Sequence, residues 1–151
     1  MKYGIPMSIK EEHEALHAEL VRASREPGAI GESAGEVMRL LKVHIAKEEQ
    51  FALPPLALLP RLVKGEFDND MGKVLEMTQR LKADLPAMLE EHRFIIRALK
   101  ALVDAAKEND RVDLAELAHK LIHHSRLEEE TLYPASLLVG EYVALRLGLR
   151  R

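Results

Sequence analysis

The chain has 151 residues, of which 47% are hydrophobic and 31% are charged, with a formal net charge of −3. This composition is typical of a globular protein with a substantial core, with no basic field for nucleic acid and no apolar run that could span a membrane. There is no cysteine, which excludes disulfides, thiolate metal sites and thiol catalysis. Aromatic residues are only 4% and strong helix formers dominate, so we expect an all-α, cytoplasmic protein; nothing indicates its oligomeric state.

Hydrophobic periodicity predicts two long helices in the first part of the chain. The first begins at Ser8 and runs to about Arg25, and the stretch E-P-G-A-I-G follows as a linker. The second begins at Ser33 and reaches Ala52, where Pro54 ends it. Each predicted start is a capping box, with a glutamate three residues after the serine.

The middle of the chain predicts short elements and then a third helix. Residues 56–68 contain proline and glycine breakers and predict irregular chain or a short turn, so short helical segments are expected within 56–83. The pattern from 69 to 108 is helical through Pro86. It predicts either one kinked helix or two abutting helices, the second capped by Asp84.

The last part of the chain predicts a fourth long helix, which starts at Asp110 or Asp113 and runs towards Pro134. The tail GEYVALRLGLRR predicts one more short helix. No segment alternates with period two, so no sheet is expected. The predicted fold is an up-down four-helix bundle over about residues 8–134 with a tail over 135–151, the whole chain forming one domain.

Each predicted helix carries polar residues in the apolar stripe that should face the core. Burying an unpaired carboxylate costs several kcal/mol, and burying an unsatisfied imidazole costs about 1–3 kcal/mol. Metal cations remove this cost because they bind carboxylate and neutral imidazole. The sequence therefore predicts one metal site built from the polar residues of the four stripes. They are His13, His44, Glu48, His92, His124 and Glu128.

The spacing within two of the stripes suits a pair of metal ions. His44-x-x-x-Glu48 and His124-x-x-x-Glu128 each place two donors one turn apart on the same helix face. Carboxylates placed in this way can bridge two metals, while the imidazoles fill terminal positions.

The two halves of the chain repeat each other. The triplet EEH ends at His13 in the first half and at His92 in the second. A His-x-x-x-Glu motif follows at nearly the same distance in each half, and a proline follows each motif. The repeat selects His124 rather than its neighbour His123, and it separates His13 from His17.

The order His, His-x-x-x-Glu, His, His-x-x-x-Glu resembles the hemerythrin HHE cation-binding family over about residues 8–134. The resemblance implies a hemerythrin-like bundle with a non-haem di-iron centre. Two iron ions would be bridged by both glutamates and by an oxo or hydroxo group, and the six residues named above would be the ligands. It implies binding or sensing of a small molecule such as O2 or NO, or of iron.

The resemblance leaves a second function open, that of a di-iron enzyme or repair factor that reduces peroxide or NO or delivers iron. Oxygen-carrying members typically have a fifth histidine from an H-x-x-x-H pair on the third helix. Here His92 stands alone and Met88 occupies the other position. This departure resembles the four-histidine, two-glutamate site of the repair type.

Two further motifs offer alternatives. His13-Glu14-x-x-His17 matches the zinc-protease helix. However, the sequence predicts no strand that could align a substrate, and only His13 of this motif has an equivalent histidine in the second half of the repeat. Glu14-x-x-His17 and Glu116-x-x-His119 resemble ferritin-like di-iron ligands. They fall on the first and fourth helices, which the repeat does not relate.

Several polar residues near the predicted ligands allow two interpretations. His17 is expected at the rim of the site, with a fifth ligand as the alternative, and His119 and His123 are expected to be exposed or outside the ligand set. Glu12 and Glu91 are expected on solvated faces, with a hydrogen bond to a ligand imidazole as the alternative. Tyr133 is expected to pack at the bundle end, unless it makes a hydrogen bond near the site.

Overall fold

The structure, a computed structural model, describes residues 4–149, and every regular element in that range is helical. The elements are α1 (Met7–Ser24), α2 (Gly28–Lys47), a π-helical turn (Glu48–Ala52), a 3-10 turn (Pro54–Leu58), α3 (Leu59–Val63), a second 3-10 turn (Asn69–Lys73), α4 (Val74–Glu108), α5 (Val112–Leu127), a second π-helical turn (Glu128–Leu132) and α6 (Tyr133–Arg146). Within this range no helix combines the length and the apolar character needed to cross a membrane. The all-α prediction is confirmed.

Helices α1, α2, α4 and α5 form the four-helix bundle. Helix α1 packs against α2 and α5, and α4 packs against the same two helices, so the four close a ring. Three-residue links at 25–27 and 109–111 join α1 to α2 and α4 to α5, which makes each linked pair antiparallel. The chain between α2 and α4 is longer, and α6 packs on α4.

The starts of α1 and α2 differ from the predicted capping boxes. Each helix begins directly after a proline, Pro6 in one case and Pro27 in the other, and neither has a side-chain cap. Both prolines have ψ values outside the helical range, 137° for Pro6 and 160° for Pro27, so each is the last residue before its helix. Ser8 and Ser33 therefore lie inside helices, and Glu36 pairs with an arginine on the surface instead of closing a cap.

The third predicted segment is a single helix, α4, which passes through Pro86. Pro86 and Lys82, whose carbonyl loses its helical partner at the proline, are both exposed, so water can satisfy that carbonyl. Asp84 does not cap a helix, since its carboxylate lies 3.2 Å from Nζ of Lys47. The expected short helical segments are confined to 54–73.

The boundaries of the last two helices also differ from expectation. Asp110 has a φ of 54°, which places it in a turn, and α5 begins at Val112. Helix α6 starts at Tyr133, well before the predicted tail helix. The last two residues of that predicted helix, 150 and 151, lie outside the described residues.

Helix α6 covers one end of the bundle. Its Val139 and Val143 are buried with Val74 of α4 in a small apolar cluster. The approach of α6 to α4 depends on Gly140, because a Cβ at this position would overlap the side chain of Thr78.

Two larger apolar clusters lie on either side of a polar layer in the bundle. One is built around α1, α2, α4 and α5 and includes Ile95 and Leu121, and the other includes Phe51 and Met88. On α4, His92 lies between Met88 of one cluster and Ile95 of the other. A buried side chain of this size contributes about 1.5–3 kcal/mol, so the clusters keep the intervening layer enclosed.

Candidate metal centre

Both predicted ligand glutamates stand at the first position of a π-helical turn. The turn after α2 begins at Glu48, whose carbonyl accepts the amide of Leu53, and the turn after α5 begins at Glu128, whose carbonyl accepts the amide of Tyr133. Such wide turns occur frequently at functional sites. A proline follows each turn, and a proline cannot donate to the carbonyl four residues before it. The prolines had been expected only to end a helix and to mark the repeat, so the wide turns themselves were not predicted.

The structure brings all six predicted residues into one layer of the bundle. Their side chains line a central cavity of about 30 Å³. Two groups have ligand atoms within 4.8 Å of one another, and Glu128 belongs to both. The first group is His13, His124 and Glu128, and the second is His44, His92 and Glu128. Glu48 lies beside the second group without belonging to it.

The carboxylate of Glu128 faces both groups at once. Its Oε1 lies 3.2 Å from Nε2 of His92, and its Oε2 lies 3.3 Å from Nε2 of His124 and 3.8 Å from Nε2 of His13. Oε2 is buried and makes no aligned hydrogen bond. One oxygen is thus directed at each group, as a bridging carboxylate requires.

The imidazoles of each group face one another through Nε2. These atoms are 2.7 Å apart for His44 and His92 and 2.9 Å apart for His13 and His124. Two nitrogens bound at right angles to one metal, at about 2.1 Å each, would be about 3 Å apart. The donor types and their spacing therefore fit a metal ion in each group.

Carboxylates outside this layer contact the imidazoles at Nδ1, the ring nitrogen that does not face the other imidazole. Glu91 Oε1 lies 2.9 Å from Nδ1 of His44, and Glu129 Oε1 lies 2.9 Å from Nδ1 of His92. Glu12 lies against Nδ1 of His124. Glu12 is exposed, as expected, whereas Glu91 is partly buried and makes the hydrogen bond to a ligand imidazole that was the alternative interpretation. Sequence reasoning missed Glu129, although it directly follows a predicted ligand.

Tyr133 also contributes to the site. Its hydroxyl donates to Oε2 of Glu48 at 2.9 Å and lies 3.1 Å from Nε2 of His44 and 3.3 Å from Nε2 of His92. The side chain is buried. The hydrogen bond near the site, which was the alternative interpretation of this tyrosine, is the one that the structure contains.

The two glutamates have pKa values that move in opposite directions. Burial and the neighbouring Glu128 raise the pKa of Glu48 well above its usual range. Burial also opposes ionisation of Glu128, but a hydrogen bond from Glu48 and contacts with His124 and His92 outweigh it and hold the Glu128 pKa well below that range. Of the two carboxyls, Glu48 therefore holds a proton to higher pH than Glu128 does.

The pKa values of the four imidazoles also shift in two directions. Burial lowers the pKa of His44 and of His13, and the neighbouring imidazole lowers each further. Burial acts on His92 and His124 too, but the Glu128 carboxylate outweighs it and raises both pKa values. Both raised pKa values reflect the negative charge of Glu128, a charge that a divalent cation bound to these side chains would also balance.

The remaining histidines stay outside the two groups. His17 is exposed and lies at the rim of the central cavity, and His119 and His123 are exposed on α5. Glu14 and Glu116 are exposed as well, so neither the zinc-protease motif nor the ferritin-like motifs assemble a buried site.

The fold and the site define an all-α bundle that binds metal cations in its core. The family model of the hemerythrin HHE cation-binding domain matches residues 7–136. The chain belongs to this family, as the order of its histidines and glutamates predicted. No curated protein and no solved structure matches the chain significantly.

Proposed function

We propose that the protein holds two iron ions, one among His13, His124 and Glu128 and the other among His44, His92 and Glu128, with Glu48 as a further ligand. The observation that supports this proposal is the pair of His, His, Glu groups that share the buried Glu128. Each group has two imidazoles and one carboxylate, a donor set that suits non-haem ferrous iron and leaves coordination positions open.

We further infer that the protein binds or senses a small molecule, O2 or NO, at this centre. The space that the six side chains enclose is small, about 30 Å³, which favours a diatomic ligand over a bulky substrate. Leu16, Ile45 and Ile95 supply apolar walls that limit access of bulk water. Bound iron would supply the redox chemistry that these side chains lack.

A second function, reduction of peroxide or NO by an enzyme or repair factor, is favoured by one observation. Burial and the Glu48 carboxyl raise the pKa of Tyr133, so its phenol keeps a proton at Oη at neutral pH. This hydroxyl lies within 3.3 Å of Nε2 in both imidazoles of the second group. It is therefore a proton donor placed beside the proposed ligands.

The two functions are separated by a spectrum and a turnover assay on the same sample. Ferrous protein is prepared anaerobically, exposed to O2, and returned to anaerobic conditions. A visible absorption band that appears with O2 and disappears with its removal supports binding or sensing, whereas multiple turnovers of added peroxide or NO support the enzyme. Protein that takes up no iron contradicts both proposals. The variant His123→Ala should behave as wild type in each assay.

A further inference from the structure

The repeat relates the two groups of ligands but does not preserve their surroundings. It pairs His44 with His124 and His92 with His13, so it exchanges one group for the other. Equal metal positions would need equal burial and equal contacts at the paired imidazoles. The structure differs at each of these points.

The two groups differ in their access to solvent. The side chains of His44 and His92 are each 1% exposed, whereas those of His13 and His124 are 11% and 10% exposed. A groove of about 620 Å³ between α1 and α5 reaches His124, and a groove of about 440 Å³ between α1 and α2 reaches His13. Solvent therefore approaches the His13–His124 group from both sides of α1.

The groups also differ at Nδ1 of their imidazoles. His44 and His92 each have a carboxylate oxygen at 2.9 Å, from Glu91 and Glu129. An Nδ1–H bond of this kind fixes the ring and leaves Nε2 free for a metal. Among the described residues, Nδ1 of His13 has no hydrogen-bond partner, and Nδ1 of His124 has a close contact with Glu12 that is not an aligned hydrogen bond.

The carboxylates near Nδ1 of the imidazoles also differ in the contacts that fix their positions. Glu91 is fixed by Lys47, whose Nζ lies 2.7 Å from its Oε2. In the repeat, Lys47 corresponds to Leu127, which lines the same groove as Glu12 and offers it no cation. Glu49, the repeat equivalent of Glu129, is exposed.

We propose that the two metal positions are inequivalent: the His44–His92 position binds its metal first and retains it, and the His13–His124 position fills second and exchanges with solution. This inference rests on the dinuclear function proposed above. Glu91 and Glu129 are the positioning residues that make the first position tight. Loss of such an outer hydrogen bond typically weakens metal binding about 10–100-fold.

The order of filling is tested by adding Co²⁺ to metal-free protein and counting metals per chain by native mass spectrometry. With one equivalent, the one-metal species should dominate, and the two-metal species should appear only beyond that point. A chelator should then remove one metal per chain quickly and the other slowly. Equal and independent positions would instead give a statistical mixture of species and a single removal rate, which would overturn the inference and leave the dinuclear function intact.

The location of the tight position is tested with variants of single side chains. Glu91→Gln and Glu129→Gln should each weaken the first Co²⁺ by about 10–100-fold, and the exposed neighbour Glu130→Gln should not. His13→Gln should keep one tightly bound Co²⁺. Loss of the tight metal from His13→Gln, with unchanged binding in the Glu91 and Glu129 variants, would overturn the inference. A wild-type protein that binds no metal would overturn the proposed function as well.

Discussion

Replacing Glu48 with glutamine should stabilise the metal-free protein. The Glu48 side chain is 2% exposed, and burial and the Glu128 carboxylate raise its pKa well above the reference value of 4.5. Glutamine has nearly the same shape and is always neutral. It can accept the Tyr133 hydroxyl and donate to Glu128, as the protonated Glu48 does.

The magnitude follows from the proton that Glu48 must hold. Keeping a carboxyl protonated above the pH at which it ionises in the unfolded chain costs about 1.4 kcal/mol per pH unit. With an unfolded pKa near 4.5, this cost is at most about 3 kcal/mol at pH 7, the limit for a carboxyl that is still fully protonated there. Glutamine avoids this cost. In a chain of this size each kcal/mol gained corresponds to a rise in Tm of about 2–4 °C, so the rise is at most about 12 °C.

The sign of the pH dependence is fixed by the direction of the shift. Because the folded pKa of Glu48 lies above its unfolded value, the stability that this carboxyl contributes is fully present below the unfolded pKa and is lost as the pH rises through the folded pKa. Wild type and Glu48→Gln should therefore have similar stability near pH 4.5 and diverge towards pH 7.

Metal should offset the stability advantage of the glutamine variant. At a thousandfold excess over Kd, a metal stabilises the folded state by about 4 kcal/mol, and the glutamine variant should lose most of this gain. The assay is thermal unfolding of both proteins at several pH values, with and without iron, and the exposed Glu49→Gln as control. A metal-free glutamine variant less stable than wild type at pH 7 would contradict the predicted role of Glu48 in stability, and an equal gain from iron in both proteins would contradict its role as a metal ligand.

Three further outcomes are expected. His124→Ala should lose one metal per chain and His123→Ala none, because neighbours on a helix point about 100° apart, and elemental analysis would show the reverse if the repeat were misaligned by one residue. Tyr133→Phe should lower the free energy of unfolding in urea by about 1–2 kcal/mol, since it removes the donor to Glu48, and an unchanged value would argue against this hydrogen bond. Gly140→Ala should lower the free energy of unfolding by about 1–3 kcal/mol, because the added Cβ would overlap Thr78 of α4. Gly35→Ala has open space around it and should raise the free energy of unfolding by about 0.5–1 kcal/mol. Equal effects of the two substitutions would contradict the close packing of α6 on α4.

The bundle and the positions of the six polar residues could be predicted because both follow from the spacing of apolar residues along each helix. A helix buries one face, so a histidine such as His92 between Met88 and Ile95 has to enter the core. The repeat between the two halves of the chain then identified His124, rather than the adjacent His123, as the buried histidine. The structure places His124 in the buried layer and His123 on the surface.

The helix starts and the outer contacts could not be predicted in the same way. A serine with a glutamate three residues later is a capping box only where the helix actually begins, and at Ser33 the helix had already begun after Pro27. Glu129 shows a different limit. Its position on the helix is only partly buried, and its role depends on an imidazole that comes from another helix.

Two metal ions should lie in the two groups that share Glu128. Anomalous diffraction at the iron edge, from crystals of the iron-loaded protein, would locate them. Two peaks per chain are expected, one among His13, His124 and Glu128 and one among His44, His92 and Glu128. A single peak at full loading, or peaks at the exposed histidines of α5, would contradict this expectation.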